Sequence, residues 1–127
     1  MSVLFKPVAR KNPRDFSAEP LFYAAAYRKE IVDTDQMCEL IASNSTMSRS
    51  DVYGVLMELL DKINYQLKEG RTVRLHKLGM FSLSLSSEGV EEADKLTAHH
   101  IKGAKINFRP DKELKQMLDT LTYEKTN

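Results

Sequence analysis

Thr72-Val73-Arg74-Leu75-His76-Lys77-Leu78-Gly79-Met80-Phe81-Ser82-Leu83-Ser84-Leu85-Ser86 is the stretch that decides the fold. Polar and apolar residues alternate over 72–76 and again, without a break, over 81–86. Period two is the mark of a half-buried antiparallel strand. Lys105-Ile106-Asn107-Phe108-Arg109 alternates in the same way, so three strands of one sheet are expected. The last two are joined by a long connection, residues 87–103, rich in acids and carrying His99 and His100. Successive side chains of a strand point to opposite faces. Val73, Leu75, Phe81, Leu83, Leu85, Ile106 and Phe108 therefore share one face, suited to packing on helices. The opposite face carries Thr72, Arg74, His76, Ser82, Ser84, Ser86, Lys105, Asn107 and Arg109 and no acid.

Working outward, the residues before the first strand read as a helical pair. Asp33 or Thr34 can cap a helix running to about Ser43, with Met37, Leu40 and Ile41 on one stripe. Ser48, with Asp51 three residues on, opens a second helix as an approximate capping box. Its stripe is Val52, Val55, Leu56, Leu59, Leu60, Ile63 and Leu67, and Gly70 suits its stop. Gly54 inside this helix costs it roughly 1 kcal/mol against alanine, and close helix–helix approach is a reason to tolerate it. After the last strand, Pro110, Asp111 and Glu113 favour the start of a short helix with Leu114, Met117, Leu118 and Leu121 on its apolar side. Residues 1–32 read as an extension with two strands. One lies over 3–8, with Pro7 favouring an edge position. The other lies over 21–27, where Pro20 and the alternation of Phe22, Ala24 and Ala26 with Tyr23, Ala25 and Tyr27 outweigh the helix preference of alanine. Between them, Lys11-Asn12-Pro13-Arg14-Asp15 is a basic, turn-rich loop. The division expected is an extension over 1–32, an α+β domain over 33–121 and a polar tail over 122–127, with one more short strand near Leu121-Thr122-Tyr123.

The 127 residues suit one domain. No apolar run approaches the ~20 residues of a membrane span, and the N-terminal stretch lacks an apolar core and a small-residue cleavage site, so no signal peptide or membrane partner is expected. The single cysteine, Cys38, reads as a packed thiol in a helix, which fits a reducing cytoplasm. Nineteen Lys and Arg are offset by eighteen Asp and Glu, a net charge of +1. Strong DNA binders usually show their charge in bulk, so any nucleic-acid surface here must arise from local segregation. The acid-free sheet face is such a segregation. Small serines allow close approach, hydroxyls donate to phosphate oxygens, and Arg and Lys supply charge. Nothing on it is arranged to read base edges, so sequence preference would come from DNA shape.

Residues 34–118 resemble the HU/IHF family of bacterial nucleoid proteins, whose order is two helices, three antiparallel strands with a long arm, and a C-terminal helix. The family's Gly-x-Gly-x-Phe turn is matched by Gly79 and Phe81, with Lys77 in place of the first glycine. Its Phe-Lys-x-x-Lys-x-Leu-Lys pattern is matched by Phe108, Lys112, Leu114 and Lys115, with Arg109 for lysine, and Ser48-Arg49 sits where the family begins its second helix. Over nearly the full length the chain is similar to the HU-like proteins of Bacteroidetes, through Arg10-Lys11-Asn12-Pro13, Ser86-Ser87-Glu88-Gly89-Val90 and Ile101-Lys102-Gly103. The resemblance implies an IHF-like fold, an intertwined homodimer, double-stranded DNA as partner and a place in the cytoplasmic nucleoid. One departure is large. The family's arm is basic and ends in a proline that wedges between base steps, whereas residues 87–103 contain no proline and four acids against two lysines. The wedge is therefore not carried over.

The phosphate contacts expected are Arg74, His76, Lys77, Lys105 and Arg109, then Lys102, Lys112 and Lys115, with Ser82 and Ser84 as neutral donors and Arg49 flanking. No catalytic residue, cofactor, metal or small-molecule substrate is expected. Adjacent His99 and His100 point apart on a strand, the acids of 87–103 lie in a solvated loop, and no Gly-rich phosphate loop, nucleophile elbow or paired-Cys motif occurs. Phe5, Phe22, Tyr23 and Tyr27 suit packing better than base stacking. The competing reading is a structural or protein-interaction module that keeps the fold without DNA affinity. The near-neutral charge and the acidic arm support it.

Overall fold

Val3–Arg10 forms β1 and Leu21–Ala26 forms β2, an antiparallel hairpin in which Phe5 lies opposite Ala26 and Arg10 opposite Leu21. The computed structural model describes residues 1–126. It contains two compact units, Met1–Val32 with the stretch from Met117 onward, and Asp33–Gln116. In the first unit, β1 is central and not an edge strand, because a short parallel strand near the C-terminus lies on its other side. The Leu4 carbonyl accepts from the Tyr27 N–H across the hairpin, and hydrogen-bonding direction alternates along a strand. The nitrogen of Pro7 therefore faces away from β2. On that side, pairing reaches only Phe5, whose carbonyl accepts from the Thr126 N–H. The missing donor of Pro7 meets no partner strand, which reconciles a proline with a central position.

In the second unit, α1 (Thr34–Ser43) is capped by Asp33: Asp33 Oδ1 accepts from the Gln36 N–H at 3.0 Å, and Gln36 Oε1 accepts from the Asp33 N–H at 2.9 Å. α2 (Arg49–Lys68) is capped by Ser48, whose Oγ accepts from the Asp51 N–H at 3.1 Å. Only that forward half forms, as an aspartate is one methylene shorter than the glutamate that reaches back. α2 stops where Gly70 takes φ +80°, with Gly70 N–H donating to Leu67 O and Arg71 N–H to Gln66 O. This is the left-handed stop that glycine provides.

The sheet of this unit is β3 (Val73–Leu75), β4 (Gly79–Ser87) and β5 (Ile101–Pro110), antiparallel in that order. β3 is shorter than its alternation suggests, because the Leu78 N–H already donates to Leu75 O in a tight turn. β5 is longer than expected. It extends back to Ile101 and makes a nine-pair ribbon with β4, irregular between Ser86 and Ser87. The connection is thus reduced to residues 88–100, with short 3-10 turns at Ala93–Lys95 and Ala98–His100. α3 (Lys112–Met117) is also shorter than expected and passes into a 3-10 turn, Leu118–Thr120. Finally, β6 (Tyr123–Lys125) is the short strand expected near Leu121-Thr122-Tyr123, displaced by two residues into the polar tail. It is the parallel neighbour of β1, and Thr122 Oγ1 donates to Met1 O at 2.8 Å.

The core of the second unit is small. Cys38, Val52 and Leu67 are the buried hydrophobic residues, and Phe81 meets Phe108 edge-on at 5.0 Å. Much of the apolar stripe of α2 and the apolar sheet face stays exposed, Val55 at 61% and Ile106 at 68%. No atom from outside the adjoining turns of α2 lies within 4 Å of where a Cβ on Gly54 would stand, so no close helix–helix approach within the chain accounts for that glycine.

Candidate nucleic-acid interface

The β3-β4-β5 register sorts the strand residues onto two faces, as the alternation expected. Directly opposed residues point the same way. One face carries the rows Arg74–Met80–Arg109, Ser82–Asn107, Ser84–Lys105 and Ser86–Gly103. The other carries Val73–Phe81–Phe108, Leu83–Ile106 and Leu85–Ala104. The polar face is therefore a ladder of hydroxyls and cations along one ribbon. Met80, an apolar residue, sits between the two arginines in its first row.

Gly79 fixes the root of this ribbon. It takes φ +154°, and a Cβ there would run into the carbonyl oxygen of Arg109 and come within 3.0 Å of the Phe108 ring and of Pro110 Cα. Lys77, two residues earlier, takes φ +71°. That left-handed backbone is the kind that favours glycine, and it falls where the HU/IHF pattern has its first glycine.

The face is not free of acid. Asp111, just beyond β5, accepts from Arg74 Nη2 at 3.1 Å and Nε at 3.3 Å, and its Oδ2 also accepts from the Lys77 N–H at 3.2 Å. The carboxylate side chain is 12% exposed and the guanidinium 60%. The Arg74 hydrogen bond, with help from the Lys77 N–H, holds the Asp111 carboxyl below the usual carboxylate range. The same bond raises Arg74 above its ordinary value. Arg74 is thus a clamp between β3 and the start of α3, and part of its charge is compensated. Sequence reasoning missed this because Asp111 is 37 residues away and looks like a helix-start acid.

Other expected contacts are distributed unevenly. Lys105 and Arg109 stand on the polar ladder with Ser82 and Ser84. His76 and Lys77 lie in the β3–β4 turn and not on the strand. Lys102 falls at the irregularity of the ribbon, between the pairs Ser86–Gly103 and Ser87–Ile101, and has no cross-strand partner. Lys112 and Lys115 are exposed on α3. Arg49 is answered by two acids of α1, Asp35 at 3.1 Å and Glu39 at 3.7 Å. Among the described residues, His76, Lys77, Lys102, Lys105, Arg109, Lys112 and Lys115 make no ion pair. At the far end of the ribbon, His100 Nδ1 accepts from the Thr97 N–H at 3.0 Å, and Lys95 pairs with Glu92 at 3.6 Å. No helix among the described residues is long and apolar enough to cross a membrane.

Two helices followed by a three-stranded antiparallel ribbon and a short third helix form an HU-like domain, and comparison with solved structures supports that class. A variant of HU from Thermotoga maritima aligns with a TM-score of 0.52 and 19% identity, covering 68% of this chain and 97% of its own. A candidate bacterial DNA-binding protein from Bacteroides vulgatus aligns with a TM-score of 0.64 and 13% identity over 98% of this chain, which spans about half (49%) of that protein's length. At the level of sequence, the chain belongs to the family of HU domains fused to a winged helix-turn-helix, Ig or glycine-rich motif, whose profile matches residues 1–125. No curated protein matches it.

Proposed function

We propose that the protein is a non-enzymatic, low-specificity binder of double-stranded DNA, acting as a nucleoid-associated homodimer through phosphate contacts of the β4–β5 face. The observation that carries this reading is the polar ladder, which sets Lys105 and Arg109, both without an ion-pair partner among the described residues, beside Ser82, Ser84 and Asn107. Charged and hydroxyl donors in a row suit a phosphate backbone and carry no pattern for base edges. Lys77 and His76 at the turn, then Lys112 and Lys115, extend the contact, and Lys102 adds charge beside the irregularity. Arg74 serves mainly to hold the turn, its exposed edge remaining available to phosphate.

The dimer is supported by surface that the chain leaves open. Val55, Leu60, Leu85 and Ile106 stay exposed, and so much apolar area on one short helix pair and one ribbon suits a partner's helices and sheet. The space beside Gly54 suits close approach of that partner. The family and the likeness to HU support the same assembly.

Titration of the protein with a labelled duplex of about 30 base pairs, at about 50 and 200 mM salt, tests the reading. Binding that weakens steeply with salt, equally for unrelated sequences, is expected. Absence of binding at about 50 mM salt rejects it in favour of an HU-fold interaction module, the reading favoured by the Arg74–Asp111 pair. Replacing Val55 by glutamate is expected to halve the sedimenting mass.

A further inference from the structure

The net charge of the chain conceals a division between its two units. Residues 1–32 hold Lys6, Arg10, Lys11, Arg14, Arg28 and Lys29 against Asp15, Glu19 and Glu30, and the stretch from Met117 adds Lys125 against Asp119 and Glu124. That leaves twelve cations against thirteen acids for residues 33–116. The HU-like unit is net negative, and the whole positive excess of the chain lies in the appended unit. Two of the arginines in the HU-like unit are further committed to carboxylates, Arg49 and Arg74.

We propose that the tip of the β1–β2 hairpin, built from Arg10, Lys11 and Arg14, is a second binding surface for the phosphate backbone of duplex DNA. The inference rests on the DNA-binding reading given above and adds a site that the polar ladder does not contain. All three side chains are exposed, and among the described residues none makes an ion pair. The tip is held by its own turns. Asn12 Oδ1 accepts from the Arg14 N–H at 2.9 Å, and Asn12 O from the Asp15 N–H at 3.2 Å. The Asp15 carboxylate accepts from the Ser17 hydroxyl at 2.6 Å and the Ser17 N–H at 3.1 Å, bonds that keep it ionised to lower pH than usual. This acid is directed to its own turn and leaves the three cations uncompensated by direct contact.

Arg10 is positioned as well as charged. Its guanidinium lies over the Tyr23 ring, 5.9 Å from the centroid. An aromatic face orients a cation without neutralising it, and an oriented guanidinium is suited to two-pronged contact with phosphate oxygens. Arg10, Lys11 and Pro13 line an open cleft of about 540 Å³. Glu19 on the same cleft is the one acid lining it, and it opposes an anion lodged there, whereas Arg14 lies outside that lining. A linear, repeating anion suits three exposed cations spread over one tip better than a small anion suits the cleft beside Glu19.

The test uses the full chain carrying Arg10→Gln, Lys11→Gln and Arg14→Gln together, beside the wild type and a Lys105→Gln/Arg109→Gln variant, each titrated with the same duplex between about 50 and 200 mM salt. Every cation withdrawn from a phosphate flattens the slope of log K against log salt by about 0.9. In the triple variant the slope is expected to flatten by between about 0.9 and about 2.7. Its affinity should fall at least about tenfold at about 100 mM salt, with an unchanged circular dichroism spectrum. An effect on folding alone would leave that slope in place. An unchanged slope and affinity in the triple variant, with the ladder variant weakened, overturns this inference and leaves the DNA-binding reading standing. A weakened triple variant with an unaffected ladder variant overturns the ladder assignment and leaves this inference standing. A wild type that binds no duplex overturns both.

Discussion

The molecule has two antiparallel ribbons, and their tips carry opposite charge. The β4–β5 ribbon ends in Glu88, Glu91, Glu92 and Asp94, with Lys95 already paired to Glu92. The β1–β2 hairpin ends in Arg10, Lys11 and Arg14, with its acid tied to Ser17. Their bodies differ too. β4–β5 alternates from Phe81 to Ser86 and is rooted by a glycine whose Cβ position is blocked by the Arg109 carbonyl, whereas β1–β2 is fixed by pairing on both sides of β1 only as far as Phe5. The comparison teaches that an HU-like ribbon can keep its root and its polar ladder while its tip takes a charge that repels phosphate. Charge that attracts phosphate then has to be sought elsewhere in the chain.

Four variants break or sharpen that comparison. The largest effect is expected at the root of β4–β5. Gly79→Ala sets a Cβ against the Arg109 carbonyl and should destabilise the fold by more than about 3 kcal/mol in chemical denaturation. A wild-type midpoint would show that the root is not rigid. Asp111→Asn comes next. It releases Arg74, so duplex binding should strengthen several-fold and the salt slope steepen by about 0.9; unchanged binding would mean that Arg74 does not touch phosphate. The same variant has a pH signature. The Asp111 carboxyl is held low in the folded protein, so its stabilising contribution is present above the unfolded carboxylate value near about 4 and is lost as pH falls through the folded value. The stability gap between wild type and Asp111→Asn should therefore close in acid, which urea titrations at about pH 7 and about pH 2 would reveal. Lys77→Gly relieves a left-handed lysine and should raise stability by about 1 kcal/mol while weakening duplex binding by a few-fold. The smallest effect is expected from Glu91→Gln with Glu92→Gln. Removing acid from the distal tip should raise affinity by less than the triple glutamine change at the hairpin tip lowers it, and the reverse order would invert the comparison.

Alternation and caps made much of the fold legible. The three sheet strands, both long helices and their capping residues follow from local pattern, because side-chain parity and helix-end donors are properties of a few consecutive residues. The polar face was legible for the same reason, and the register sets Ser82 against Asn107 and Ser84 against Lys105. What local pattern hides is pairing at long range. Asp111 reads as a helix-start acid until β5 brings it to Arg74, and no local pattern points Asp35 and Glu39 of α1 to Arg49. A short strand near Tyr123 was legible, but its bounds and its partner were not, since three residues carry no period and β1 lies at the opposite end of the chain. The central place of β1 was hidden with it, since Pro7 is tolerated through the direction its nitrogen faces. The shortness of β3 and of α3 reflects turns that close before the alternation or the apolar stripe ends.

The Asp111 carboxylate ties the side chain of one strand to the backbone of the turn that follows it. One oxygen, Oδ2, receives both the Arg74 guanidinium and the main-chain N–H of Lys77. A lysine occupies a left-handed site here because an acid across the turn holds its backbone. The two positions are therefore coupled through one hydrogen bond: glycine at 77 needs the acid less, and lysine there makes its loss cost more. In a cycle of Lys77→Gly and Asp111→Ala, removal of the acid should be milder in the glycine background.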